Sequence, residues 1–304
     1  MPKLIVSTVA SSVEGESDIA TMYSVVDIAG TNALLRTILR NAAGAMLGMS
    51  CAYEMELKSL EEKKAMEKGK GEERVTRIGI TMFGVTTPCV TAISKHLREK
   101  YPVEIYVFHA TGHGGKALER MIAEGKLDAV LDLTTTEICD HLFGGNMSAG
   151  PTRLEAALRA GIPNIISIGA TDMVNFGTRG TVPGEYRERN LLEHNSLVTL
   201  MRTTKEECVA VGEFIVEKIK RFAKEKEMVE VWLPSGGVSV ISTLGAVFED
   251  KQADAALVET VRKGLDGVGV RVVLDKRHIN DEEFARDIAD SLMALVPKKG
   301  AEIE

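Results

Sequence analysis

VEIYVFHATGHGGKALERMIAEGKLDAVLDLTTTEICD, residues 103–140, holds a strand, a glycine turn, a helix, a second strand and a second polar loop in one unit. Residues 103–108 are a short β-branched and aromatic run, and residues 116–124 place Ala117, Leu118, Met121 and Ile122 at the spacing of one helix face. Residues 128–133 read as a second buried strand, so the crossover is right-handed and the two strands are parallel. The loops HATGHGG and TTTE then open on one edge, outside the carboxyl ends of the strands, where open parallel sheets bind their ligands.

The glycine turn admits several readings. Gly112, Gly114 and Ala117 fit the small positions of a dinucleotide fingerprint, and Asp132 follows at about the distance of a ribose-binding acid. The turn is longer than the usual tight one, however, and it does not follow the first strand of the chain. The nucleoside-triphosphate loop fails, because Ala117 follows Gly115 and Lys116 where Ser or Thr would hold magnesium, and Ala110 stands where the first glycine belongs. What survives is a set of unblocked backbone N–H groups at a helix N-terminus, a seat for phosphate or carboxylate. The alternative is that these glycines only permit a close strand-to-helix turn.

Outward from this unit, 304 residues with 44% hydrophobic and 27% charged side chains make an ordinary globular chain of one large or two modest domains. A net charge of −7 without a basic cluster argues against nucleic acid or a membrane surface as the main partner. No apolar run is long enough to span a bilayer and the opening MPKLIVSTVASS is too short in its apolar part for a signal peptide, which reads as cytoplasmic. Cys51, Cys89, Cys139 and Cys208 are scattered, which indicates neither a disulfide framework nor a zinc site.

Taken in order, residues 1–52 hold a strand at 4–9, a polar segment with Asp18, Tyr23, Ser24 and Asp27, and an amphipathic helix from Leu34 to Leu47. Residues 53–74 are a charged helix that Gly69 and Gly71 break into a linker, and the domain boundary falls there. From residue 75 to 304, strands at 77–82, 103–108, 128–133, 164–168, 229–233 and 270–274 alternate with helices. The fold class is therefore α/β, a doubly wound, mostly parallel, Rossmann-like sheet with an N-terminal βα segment. Thr87 with Pro88 reads as one helix start, Thr204 with Glu207 as a capping box, and Asn280 with Glu283 as the cap of the last helix. Residues 169–194 are too rich in Gly, Pro and charge for a core element and read as a lid or binding loop.

The carboxyl-edge loops supply Thr86, Thr87, Gly112, Gly114, Gly115, Lys116, Thr134, Thr135, Thr136, Ser235, Gly236 and Gly237 as candidate binding residues for a phosphorylated ligand. Glu137, Asp172 and His109 are the candidates for proton transfer, and Glu137 or Asp172 is placed to hold magnesium. For each of these, capping or turn formation is the competing explanation. His109 and His113 lie in a glycine loop, where a spacing of four carries no metal meaning, and Cys89 reads as core.

With MYSVVDIAG at 22–30, GITMFGVTTPCV at 79–90, HATGHGGKALE at 109–119, LDLTTTEICD at 131–140, SIGATDMVNFG at 167–177, LMRTT at 200–204 and HIND at 278–281, the chain resembles the ATP-binding domain family of the tomato mosaic virus resistance protein. That resemblance implies a pair of Rossmann-like domains, ATP binding and dimer formation, with a plant member that inhibits viral RNA replication by binding a replication protein. Residues 1–52 resemble the end of the family's first domain, most of which is missing here, and Gly236 stands where relatives often carry a charge. Three functions follow: an ATP-binding protein, an enzyme on a small phosphorylated or carboxylated metabolite, or a non-catalytic scaffold subunit. One strand and one helix cannot bury their own apolar face, so residues 1–52 are expected to pack on a second copy in a homodimer or on a separate chain carrying the missing first domain.

Overall fold

The computed structural model describes residues 1–8, 18–30, 32–67 and 75–297, and the chain divides into two compact units, Met1–Arg74 and Val75–Glu304. In the first, β1 (Lys3–Ser7) and β2 (Ile19–Tyr23) pair in parallel, with Lys3 opposite Ile19 and Ser7 opposite Tyr23. The sequence reading has no strand at β2, because the alternation of Ile19, Thr21 and Tyr23 is hidden in a polar segment. The Val9 end of the expected first strand lies outside the described residues. Helix α1 (Ala33–Glu67) starts where the Asn32 side chain accepts a hydrogen bond from Leu35 N–H at 2.9 Å. It runs for 35 residues, straight through residue 52, and the expected breaks at Gly69 and Gly71 lie outside the described residues.

The second unit carries all six expected strands: β3 (Thr76–Met82), β4 (Val103–His109), β5 (Ala129–Thr134), β6 (Asn164–Gly169), β10 (Val229–Pro234) and β11 (Arg271–Asp275). They form one parallel sheet in the order β11-β10-β6-β5-β3-β4. The β5 and β6 sequences AVLDLT and NIISIG are buried along their whole length, the signature of strands covered on both faces. Helices α2 (Thr87–Lys100) and α8 (Glu282–Leu295) pack together over a core of Ile78, Ile80, Leu131, Ile165, Trp232, Phe284 and Ile288. Helices α3 (His113–Ala123), α4 (Thr136–Phe143), α5 (Glu155–Ala160), α6 (Lys205–Phe222) and α7 (Lys251–Gly264) join neighbour to neighbour, α3 on α5, α5 and α4 on α6, and α6 on α7. The chain winds outward in both directions from β3, so the strand order reverses between β3 and β5.

Four expectations are corrected. Residues 169–194 are not an open lid: Met173–Phe176 forms β7, which pairs antiparallel with β9 (Val198–Arg202), itself paired with β8 (Leu191–Asn195). Met173, Val174 and Phe176 are buried, and this short apolar run outweighs the polar composition around it. The residue capping α2 is Thr86 rather than Thr87, and α8 is capped by Asp281, whose carboxylate accepts from Glu283 and Phe284 N–H, rather than by Asn280. Asn280 instead accepts from Cys89 N–H and donates to Val85 O, tying the start of α2 to the start of α8. The TTTE segment is the end of β5 and the first turn of α4 rather than a loop. The Thr204 and Glu207 capping box is present in both directions at the start of α6.

Candidate functional site

The carboxyl edge is built on hydroxyl ladders. Thr81 on β3 donates to Asp132 Oδ1 on β5 at 2.9 Å and accepts from Thr134 N–H, while Thr86 and Thr134 share a 2.8 Å hydrogen bond across the point where the strand order reverses. Thr87 donates to Phe83 O, Thr135 to Ser167 O, and Thr136 accepts from the Asn175 amide, so each of these candidates has an internal partner. Thr86, Thr134, Thr135, Thr136 and Glu137 are fully buried.

Beneath the glycine turn lies a charge cluster. Glu137 Oε1 accepts from Gly112 N–H at 2.7 Å and from Gly115 N–H at 3.0 Å, and its Oε2 accepts from Arg153 Nε at 2.8 Å. Arg153 is fully buried and donates to both Asp132 oxygens at 2.5 Å and to Glu119 at 3.4 Å. Burial works against its charge, but the carboxylates around it more than reverse that, so the guanidinium stays firmly protonated. Burial pushes the Glu119 carboxyl upward, with Arg153 opposing it. The protein thus supplies its own carboxylate to this helix N-terminus. A Cβ at Gly114 would stand 1.9 Å from His109 O, and one at Gly115 would stand 2.2 Å from Glu137 Oε2. Both glycines are therefore required by close packing. His109 stacks on Phe83 with ring centroids 5.5 Å apart, and Lys116 is half-buried in the first turns of α3.

A second group gathers at the carboxyl end of β10. Ser235 donates to Asp275 O, Gly236 N–H donates to Arg277 O, and Gly237 sits at φ 129°, a backbone conformation suited to glycine. A Cβ on Gly236 would meet the backbone of residues 276–278 at 2.7 to 2.8 Å. These three residues line a cavity of about 640 Å³ with Ser242, Leu244, Glu249, Lys251, Asp254, Ala255, Val258 and Glu259. Asp254 is held by Arg202 at 2.5 Å, and Glu249 accepts from Gly245 N–H at 2.6 Å. Behind the loop, Ser239 donates to Asp172 Oδ2 at 2.7 Å, while Asp172 Oδ1 has no hydrogen-bond partner. Burial raises the Asp172 carboxyl to about 6, with Arg202 pulling it down.

The structure thus separates the sequence candidates into two groups, and of the three proton-transfer candidates only Asp172 combines burial with an uncommitted oxygen. Arg153, Ser239, Ser242, Lys251 and Asp254 were not anticipated. The serine-rich run 235–242 held a signal for two of them, whereas Arg153 is placed by tertiary packing alone. Among the described residues there is no group of three or more His, Cys, Asp or Glu suited to a metal, and no helix long and apolar enough to cross a membrane.

A six-stranded parallel sheet with helices on both faces and loops clustered at its carboxyl edge defines a doubly wound, Rossmann-like α/β protein. Residues 75–296 match the C-terminal domain, and residues 1–55 the N-terminal domain, of the Uncharacterised protein family (UPF0261). The chain belongs to that family. A UPF0261 protein of Clostridium tetani is 46% identical over 98% of this chain and 70% of its own length. The ToMV resistance protein Tm-1(GCR237) of Solanum lycopersicum is 41% identical over 98% of this chain and 38% of its own, and the ToMV susceptible protein tm-1(GCR26) is 41% identical over 99% and 39%. The tomato proteins are homologues, as the motifs implied, and each is more than twice as long as the part this chain matches.

Proposed function

We propose that this chain binds a nucleotide, ATP in the first instance, in the cavity at the carboxyl end of β10. The observation that carries the reading is the composition of that cavity. About 640 Å³ lies within the range of small-molecule sites, and its lining combines apolar Leu244, Ala255 and Val258 with the hydroxyls of Ser235 and Ser242, the Gly236 and Gly237 backbone and the Lys251 ammonium. An apolar wall suits a base, and hydroxyls with a cation suit phosphate oxygens. Of the acids in the lining, Asp254 is engaged by Arg202, Glu259 by Arg262 and Lys263, and Glu249 by Gly245 N–H and Lys251, so a magnesium ion would be held by the ligand's own phosphates. The glycine turn at 112–116 serves this ligand less well, because phosphate there would have to displace Glu137 from the Gly112 and Gly115 amides.

Asp172 supports a second reading, an enzyme acting on a small phosphorylated or carboxylated metabolite. Its carboxyl near 6 and its bond to Ser239, two residues from Gly237, suit a general base close to the same cavity. Calorimetric titration with ATP, NAD and small phosphorylated acids tests both. ATP should bind the parent and not Ala255→Trp, whose indole would intrude into the cavity from α7. Equal binding to both proteins removes the site, failure of the whole panel removes the ligand class, and binding of NAD alone restores the dinucleotide reading of residues 112–117.

A further inference from the structure

The cavity at the carboxyl end of β10 has two walls of different kinds. One is a face of α7, where Lys251, Asp254, Ala255, Val258 and Glu259 recur at helical spacing, so that exposed Ala255 and partly buried Val258 form a narrow apolar strip between charged neighbours. The other wall belongs to the connection from β10 to α7 and includes Ser242, Leu244 and Glu249. That wall is pinned at both ends. Buried Ser242 accepts from Val238 and Ser239 N–H at 3.0 and 3.1 Å. Fully buried Phe248 donates its N–H to Ile241 O at 2.8 Å, and its carbonyl accepts from Arg202 Nε at 2.9 Å. Between these pins Gly245 stands at φ 81°, with open space where a side chain would be. Leu244, beside it, lines the cavity yet is 78% exposed. A single exposed leucine is ordinary, but this one stands across a cavity of ligand size from an apolar strip.

We propose that Leu244 is the specificity-determining residue of this site: it closes over a planar ring seated on Ala255 and Val258, and so selects ligands that carry a base over phosphorylated acids that do not. The proposal rests on the nucleotide reading and narrows it. A ring between the α7 strip and Leu244 takes both apolar walls out of water, and burying one leucine side chain is worth about tenfold in affinity or more. A small phosphorylated acid reaches Ser235, Ser242 and Lys251 but leaves Leu244 in water, as it stands here. Gly245 supplies the backbone freedom for Leu244 to swing inward while Ser242 and Phe248 stay anchored.

The test is calorimetric titration of the full chain with ATP and with inorganic triphosphate, each with magnesium, alongside amide exchange over residues 243–247. ATP should bind about tenfold more tightly than triphosphate or better, and should slow exchange at 243–247 where triphosphate does not. Leu244→Ser should abolish most of that preference, while Leu244→Phe, which keeps an apolar cover, should retain it. Both substitutions fall at an exposed position, so their circular dichroism should match the parent's. A preference for ATP that survives Leu244→Ser, or exchange at 243–247 that ATP leaves unchanged, overturns the inference and leaves the nucleotide reading standing. Binding of neither ligand to the parent removes both.

Discussion

The two units solve the same problem to different depths. Val75–Glu304 wraps a parallel sheet in helices on both faces and buries β5 and β6 completely, whereas the described residues of Met1–Arg74 offer two strands and one long helix with two buried apolar side chains, Leu35 and Ala42. Both begin from the same local grammar, a β-branched strand leading toward an amphipathic helix. What differs is the number of repeats, since burial on both faces becomes available only once several βα units stand side by side. Helix formation needs less: α1 runs for 35 residues, while among the described residues the sheet of its unit has two strands.

Substitutions in the second unit should therefore be felt strongly and those in the first weakly. Arg153→Ala strands Asp132 and Glu137 as unpaired buried carboxylates and should destabilise the second unit by about 3–5 kcal/mol. Urea denaturation followed by Trp232, the one tryptophan, reads this directly; a loss below about 1 kcal/mol would mean the cluster is not dry. A matched pair sharpens the contrast. Leu118→Ala, at a fully buried position of α3, should lose about 2–5 kcal/mol. Leu47→Ala, on the exposed face of α1, should fall within about 0.5 kcal/mol of the parent. Comparable losses from the two would show that the first unit is better packed than its burial indicates.

The pH response belongs to the second unit as well. Asp172 has a folded value near 6 against an ordinary value of 3.8, so the fold favours its protonated form. That contribution is fully present below the unfolded value and is lost as pH rises through about 6, at most about 3 kcal/mol over the window. Asp172→Asn keeps an acceptor for Ser239 and places its amide where Oδ1 has no partner. The variant should melt with a flatter pH dependence between about 4 and 7 than the parent. Parallel melting curves would assign the slope elsewhere, with Asp140, raised by burial to about 7, the next group to replace. A smaller loss in the second unit is expected from Thr204→Ala, which removes one direction of the α6 capping box and should lower stability by about 1 kcal/mol in thermal melts. No measurable change would mean that water replaces the cap.

The six parallel strands were legible because each is a short β-branched run separated by a helical period, and the Thr204 box because capping chemistry is local. β2 and β7 were missed for a common reason: each is four or five residues long, flanked by Gly, Asp or Ser, and depends on a distant strand for pairing. The candidate site was legible in outline, since the loops named are those at the carboxyl edge. Sequence could not show that Glu137, chosen as a base, is locked by Arg153, or that the 235–237 loop faces α7 rather than the glycine turn. Those facts arise from contacts between residues 16 or more positions apart.

Gly112, Gly115, Glu137 and Arg153 come from three separate stretches of chain, yet the carboxylate that joins them leaves none of the four free to vary alone. Losing Glu137 exposes two amides and a guanidinium to a dry interior, losing Arg153 strands the acid, and a side chain on Gly115 occupies the acid's place. Mechanically the quartet behaves as one part: a glycine turn that looks like a ligand's cradle holds the protein's own glutamate.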